Sequence, residues 1–260
     1  NVSQVSIIDN QVGDQLVADW KLRLEGELHY IRNKSVVYDI LVMIMTALYV
    51  VRKAVRRGPK EKPAAEVAST RVLGTAVANL DYQGVVDQTA QWIAEKSSRY
   101  VGVCPVHSIV EGALHASHRA SLDGADLNTA DGMPVVWAQK LLGHRRASRV
   151  YGPTLMLHTL ERAEREGWRV AFYGGHEDRL PELIRRLEAK YPKLEIATTI
   201  CPPFRPLTDE EEAAHLNQLV ASGADIVWVG LGCPKQEAWM HRTSPKVPAV
   251  MFGVGAAFDF

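Results

Sequence analysis

Apolar runs of strand length recur along the second half of the chain, each separated from the next by a longer amphipathic stretch. They read "YVGVCP" at 100–105, "WRVAFYGG" at 168–175, "LEIATTI" at 194–200, "ADIVWVGLG" at 224–232 and "PAVMFGVG" at 248–255. Continuous apolar strands are buried on both faces, and helix-length spacers between them are crossover connections. This pattern predicts an α/β fold: a mostly parallel, Rossmann-like sheet flanked by helices. One helix start is written out in full. Thr208 and Glu211 form a capping box ahead of "EAAHLNQLVASG", which closes on Gly223.

The chain of 260 residues is 47% hydrophobic, enough for one large domain and an appendage. Its 30 basic residues balance its 30 acidic ones, so no global field recruits nucleic acid, and anion binding must come from local geometry. Cys104, Cys201 and Cys233 are widely spaced with no CxxC pair, which argues against a disulfide framework or a structural zinc and fits a reducing cytoplasm. His115 and His118 in "HASH" have no carboxylate or cysteine beside them in sequence, so no metal site is predicted there. The first residues show no signal-peptide pattern.

A seam divides the chain. The apolar run at 36–51 is interrupted by Asp39 and is shorter than the roughly 20 residues that span a bilayer. Arg52, Lys53, Arg56, Arg57, Lys60 and Lys62 follow it. An amphipathic segment lying on anionic lipid and a core helix followed by a solvated linker fit this pattern equally. Pro59, Pro63 and "PAAEVAST" mark a linker. The expected organisation is an N-terminal helical, amphipathic appendage over 1–58, a linker over 59–70 and the α/β domain over 71–260.

In such a sheet, ligands bind beyond the carboxyl ends of the strands, where helix starts favour anions. Three predicted strand ends carry glycines, Gly174-Gly175, Gly230-Gly232 and Gly253-Gly255, each able to let backbone approach a diphosphate. A dinucleotide-dependent oxidoreductase is the rival reading, but "GLGCPK" lacks the third glycine of GxGxxG and has proline where the helix opens. Asp131 in "NTADGMPVVW" precedes an apolar helix. Its residue type suits either a general base or a helix N-cap, and Gly132 beside it leaves room for a ligand.

Five ordered blocks carry a resemblance: "LNTADGMPVVWAQKLLG", "SRVYGPTLM", "VAFYGG", "VGLGCPKQEAWM" and "FGVGAAFDF". Over about residues 72–260 the chain resembles the WecG/TagA/CpsF family, the N-acetylmannosaminyltransferase type of bacterial glycosyltransferase. The resemblance implies an inverting, metal-independent and cofactor-free transferase. Such an enzyme moves N-acetylmannosamine, its uronic acid or a hexose from a UDP-sugar to a polyprenyl-diphosphate-linked glycan in cell-envelope polysaccharide synthesis. It further implies a cytoplasmic protein held peripherally on the inner membrane face. Residues 19–53 resemble the C-terminal end of bacterial polyprenyl-phosphate sugar phosphotransferases, without that family's catalytic part, which implies a fusion or remnant.

Residue by residue, Asp131 matches the family's catalytic aspartate, and Asn128 and Gly132 lie in the same block. Arg149 and Gly152 match a second block, with Thr154 where many members have aspartate. Gly174 and Gly175, and Gly230 and Gly232, match glycine-bearing strand ends. Lys235 is expected to neutralise diphosphate charge, and Gln236 to read a sugar or uracil through its amide. Glu237 is either a ligand contact or a residue favoured by the helix macrodipole. His107 stands where many members carry a Thr-x-Asn-like donor loop; it takes over that polar contact or is structural. Members continue past the block at "FDF" into an arginine-bearing amphipathic tail, so the expected domain lacks that tail. A non-catalytic scaffold in the same pathway is the remaining alternative.

Overall fold

The computed structural model describes residues 67–259. The appendage, its phosphotransferase-like stretch, the basic segment and most of the expected linker lie outside those residues.

All five apolar runs are strands: β3 (Arg99–Cys104), β5 (Arg169–Gly174), β6 (Glu195–Ile200), β7 (Ile226–Gly230) and β8 (Val250–Gly253). They join β4 (Leu127–Ala130) in a six-stranded sheet of order β4-β3-β8-β7-β5-β6. Every pairing in it is parallel. Two further strands, β1 (Ser69–Val72) and β2 (Thr75–Ala78), form a separate antiparallel hairpin. β1 begins at Ser69, inside the stretch read as linker. Leu73 (φ 49°) and Gly74 (φ 88°) turn this hairpin with both central residues left-handed, the geometry that matches strand twist in two-residue loops.

Among the described residues, eight α-helices alternate with the strands: α1 (Tyr82–Ala94), α2 (Val106–Leu114), α3 (Ala116–Asp123), α4 (Met133–Leu141), α5 (Gly152–Glu166), α6 (Leu180–Lys190), α7 (Asp209–Ser222) and α8 (Lys235–Thr243). The Thr208/Glu211 capping box opens α7, and Gly223, in the left-handed region, closes it.

Alternate residues of the strands feed two cores, as period-two side-chain direction requires. Val101, Val103, Phe172, Trp228 and Phe252 pack on one face with Leu155, Leu160, Leu183 and Leu187 of α5 and α6. Tyr100, Tyr173, Val227, Val229 and Met251 pack on the other with Leu216, Leu219, Trp239 and Met240 of α7 and α8. A third cluster joins the hairpin to α2, α3 and α4 through Val72, Val77, Ile109, Leu122 and Val136. Hydrogen bonds pin the hairpin at the β4 edge. Arg119 donates to the Leu73 carbonyl (2.6 Å) and to Thr75 Oγ1 (2.7 Å), and the Gln139 amide donates to the Ala78 carbonyl (3.1 Å).

Candidate active site

The carboxyl ends of β3 and β4 bring one group of side chains together. Asp131 directly follows β4, and its N–H donates to the Cys104 carbonyl at 3.2 Å, holding the residue one step past the strand. The chain returns along this edge, with the Val150 N–H donating to the Ala130 carbonyl at 2.8 Å. That return places Arg149 at the aspartate: its Nε donates to the Asp131 carbonyl at 2.6 Å and its Nη2 lies 3.7 Å from Asp131 Oδ1. The guanidinium rests over the Tyr151 ring, 4.2 Å from its centroid. The Asp131 side chain is 20% exposed. Burial lifts its carboxyl above the ordinary carboxylate range, against the opposing pull of Arg149, the Gly152 N–H and His107.

This geometry excludes one of the two readings of Asp131. The N-cap residue of α4 is Gly132, no side chain caps that helix, and its first amides, from Val135 and Val136, donate to the Gly132 carbonyl. Asp131 is therefore not the cap. It is a partly buried carboxylate with a basic neighbour, and its Oδ1 has no hydrogen-bond partner among the described residues.

The turn from β7 into α8 behaves differently. Lys235 is exposed at the first position of α8, with Nζ 5.5 Å from the centroid of the Phe204 ring. Phe204, 67% exposed, lies parallel to the His176 ring. Gly232 holds φ 78° and its carbonyl accepts the Gln236 N–H at 2.9 Å. Gln236 and Glu237, in contrast, are 3% and 1% exposed. The Gln236 amide lies under β8, where a Cβ on Gly253 would come within 3.2 Å of Nε2, and Nε2 donates to Glu237 Oε1 at 3.0 Å. Burial raises the Glu237 carboxyl above its usual range.

The glycines of β5 and β7 make room for protein. A Cβ on Gly174 would lie 2.5 Å from the Gly230 carbonyl oxygen, and one on Gly230 would lie 2.6 Å from the Phe258 ring. Gly175 faces the same ring at 3.1 Å. Phe258 is buried and meets Phe172 edge-on. The crevice between β5 and β7, where the connections leave in opposite directions, is thus covered by an aromatic side chain.

The model of the glycosyl transferase WecG/TagA/CpsF family matches residues 70–260. The chain belongs to this family. It is 34% identical over 150 residues to an N-acetylglucosaminyldiphosphoundecaprenol N-acetyl-beta-D-mannosaminyltransferase of Bacillus spizizenii, a match covering 57% of this chain and 56% of the relative. A protein of the same name from Bacillus subtilis is 27% identical over 139 residues, covering 53% and 52%. The chain spans about half the length of the curated relatives it matches.

Within this family member, the predicted residues separate into three groups. Asp131, Gly132, Arg149, Gly152 and His107 converge at the β3 and β4 ends; His107 is exposed in the first turn of α2 and acts electrostatically on Asp131. Gly232 and Lys235 stand across β8, at the end of β7. Asn128, Gln236, Glu237, Gly174, Gly175 and Gly230 are turned to other work. Asn128 is 4% exposed, its amide donating to the Ala76 (3.2 Å) and Leu122 (2.8 Å) carbonyls, so it ties the hairpin to the sheet and does not face a ligand. Gln236 is likewise buried, its amide enclosed beneath β8 beside Gly253.

Two features escaped the sequence reading. The outer face of α4 carries exposed Met133, Trp137 and Leu141 at helical spacing, with Leu142 beside them and exposed Lys140, Arg145 and Arg146 close by in sequence. The i, i+4, i+8 spacing was legible; that this face, and not the Val135/Val136 face, lies outward was not. The second is a cluster of His118, Cys233 and Glu237, which brings His118 from a distant part of the chain to the Cys233–Glu237 turn.

Proposed function

We propose that the protein is an inverting glycosyltransferase that moves a sugar from a UDP-sugar to a polyprenyl-diphosphate-linked glycan, with Asp131 as general base. The acceptor hydroxyl oxygen attacks the anomeric carbon while the bond from that carbon to the diphosphate oxygen breaks. The hydroxyl proton passes to Asp131 and UDP departs. The observation that carries this reading is the Asp131 carboxylate itself. It is freed from capping, has no hydrogen bond at Oδ1 among the described residues, and is lifted by burial towards the neutral pH at which a base works best. Arg149 opposes that lift and stabilises negative charge beside it.

Lys235 supports the donor half. Between Asp131 at β4 and Lys235 at β7 lie three strand spacings, about 14 Å. That distance suits a nucleotide sugar stretched across β3 and β8, with its diphosphate at Lys235 and its sugar towards Asp131. Lys235 and the helix-start amides supply positive charge to the diphosphate, so UDP binding needs no divalent cation. The printed names of the relatives, which specify an N-acetylglucosaminyl-diphosphoundecaprenol acceptor and an N-acetylmannosaminyl group, favour the same acceptor and donor sugar here.

No helix among the described residues is long and apolar enough to cross a membrane. The α4 face, beginning two residues after Asp131, supports peripheral docking on the membrane that holds the acceptor: tryptophan and leucine enter the interface while lysine and arginine meet anionic headgroups. The test is product formation from UDP-N-acetylmannosamine and a short-chain lipid diphosphate bearing N-acetylglucosamine, read by mass spectrometry. A disaccharide lipid with inverted anomeric configuration is expected. Absence of product from a panel of UDP-sugars, with the protein folded, would overturn the assignment.

A further inference from the structure

His118 lies far in sequence from Cys233 and Glu237, which are four residues apart, but the three meet in one space between α3 and the turn into α8, with His118 and Glu237 buried and Cys233 half-buried. Each offers a metal-ligating atom, and the three atoms lie within 4.8 Å of one another. His118 Nε2 is 3.9 Å from Cys233 Sγ. Around a tetrahedral zinc, bond lengths of about 2.0–2.1 Å to nitrogen and about 2.3 Å to sulfur place those two atoms roughly 3.5 Å apart. The cluster therefore needs to contract by only a few tenths of an ångström at this pair. We propose that His118, Cys233 and Glu237 bind one thiophilic divalent cation, zinc by ligand chemistry, which staples α3 to the β7–α8 turn behind the proposed donor site.

Unsatisfied atoms point the same way. Glu237 is 1% exposed; its Oε1 accepts the Gln236 amide, while Oε2 has no partner among the described residues. His118 is 4% exposed and Ser108 Oγ lies 3.0 Å from its Nε2, placing a fourth polar atom at the cluster. Charge balance completes the argument. A thiolate and a carboxylate enclosed together without a counter-charge carry a desolvation penalty. A divalent cation removes that penalty, since one thiolate and one carboxylate beside neutral imidazole leave the buried site with no net charge. The reading that the "HASH" histidines lack partners rested on sequence neighbours, and the fold supplies a cysteine and a glutamate from the other end of the domain. This staple is independent of the glycosyltransferase assignment, because its ligands are not the groups proposed to touch the substrate's reacting atoms.

The experiment is titration of the full, metal-stripped chain with cobalt and with zinc. One equivalent of cobalt should give thiolate-to-metal charge-transfer absorption and tetrahedral d–d bands. Zinc should displace it with sub-micromolar affinity, release about two protons, and raise the melting temperature. Cys233→Ser should abolish the charge-transfer band and His118→Ala should abolish tight binding, whereas Cys201→Ser should change neither. Should either variant at the cluster fail to fold, X-ray absorption of the zinc-loaded wild type reports one sulfur among its ligands if the site is as described. No stoichiometric binding, a band that survives Cys233→Ser, or a zinc shell with no sulfur or more than one would overturn the proposal.

Discussion

Two helix starts at the same edge of the sheet, Asp131-Gly132 before α4 and Lys235-Gln236-Glu237 in α8, look alike as sequence and differ in what they present. At the first, the residue that reads as a cap leaves its side chain uncapped beside Arg149. At the second, the polar triplet that reads as a ligand-facing surface puts only Lys235 outside and folds Gln236 and Glu237 under β8. The difference comes from helical geometry. Successive residues in a first turn point about 100° apart, so a polar triplet at a helix start cannot all face one ligand. A residue one step before a helix is free of that rotation and takes its direction from the strand ladder. Function thus follows from where the ladder stops, here at the Asp131 N–H bonded to Cys104.

Replacing the carboxylate at the first start should have the largest effect. Asp131→Asn preserves shape and removes the proton acceptor, so turnover should fall roughly 100- to 10,000-fold. Because Gly132 holds the cap position, the melting temperature should hold steady, and UDP affinity should barely move. Near-normal turnover would remove Asp131 from the chemistry. A large loss of stability would mean that the carboxylate is structural after all.

At the second start, the buried pair should act on stability first. Glu237→Ala strands the Gln236 amide in the interior, at a cost of about 1–3 kcal/mol, read by denaturant unfolding in metal-free buffer. The same residue carries a pH signature. Its folded carboxyl titrates above the ordinary 4.5, so its contribution to stability is full below that value and is lost as pH rises through the folded value. Glu237→Gln should flatten that decline. An unchanged slope in the variant would show that another group produces it.

Lys235 marks the boundary between the two behaviours. Lys235→Ala should weaken UDP binding about tenfold, measured by calorimetry in EDTA, since one charge-assisted contact to phosphate is lost, with little change in stability. A variant that binds UDP as tightly as wild type would shift the diphosphate away from α8. Wild-type binding that vanishes in EDTA would defeat the cation-free donor site.

The same contrast explains what was legible beforehand. Five strands were visible because their runs are apolar, four of them buried along nearly their whole length while β6 lies half-exposed at the sheet edge, and the α7 start because Thr208 and Glu211 bond locally, three residues apart. β4 and the hairpin were not, because Leu-Asn-Thr-Ala is short and held through the Asn128 amide, and Leu73-Gly74 is an uncommon pair for its turn. Asp131, Arg149 and Lys235 were singled out with the help of the family resemblance, and the fold places Arg149 beside Asp131. The inward direction of Gln236 and Glu237, the Phe258 ring over Gly230, and the meeting of His118 with Cys233 depend on contacts between distant segments, which no local pattern encodes.

The smallest effect is expected on the outer face of α4, where the comparison between presented and buried residues becomes one between two faces of a single helix. Val135, Val136 and Gln139 are buried, while Trp137 and Leu141 remain 49% and 73% exposed. An apolar stripe left in water beside Lys140, Arg145 and Arg146 gains most where hydrocarbon and anionic headgroups meet. Trp137→Ser with Leu141→Ser should therefore weaken flotation of the full chain with anionic vesicles roughly fivefold, since each side chain already has part of its surface buried. Salt should weaken the wild type through the basic residues, and UDP affinity should stay unchanged in the double variant. If flotation survives both substitutions, the membrane contact lies elsewhere on the chain, and Asp131 would have to reach its acceptor without the orientation that α4 supplies.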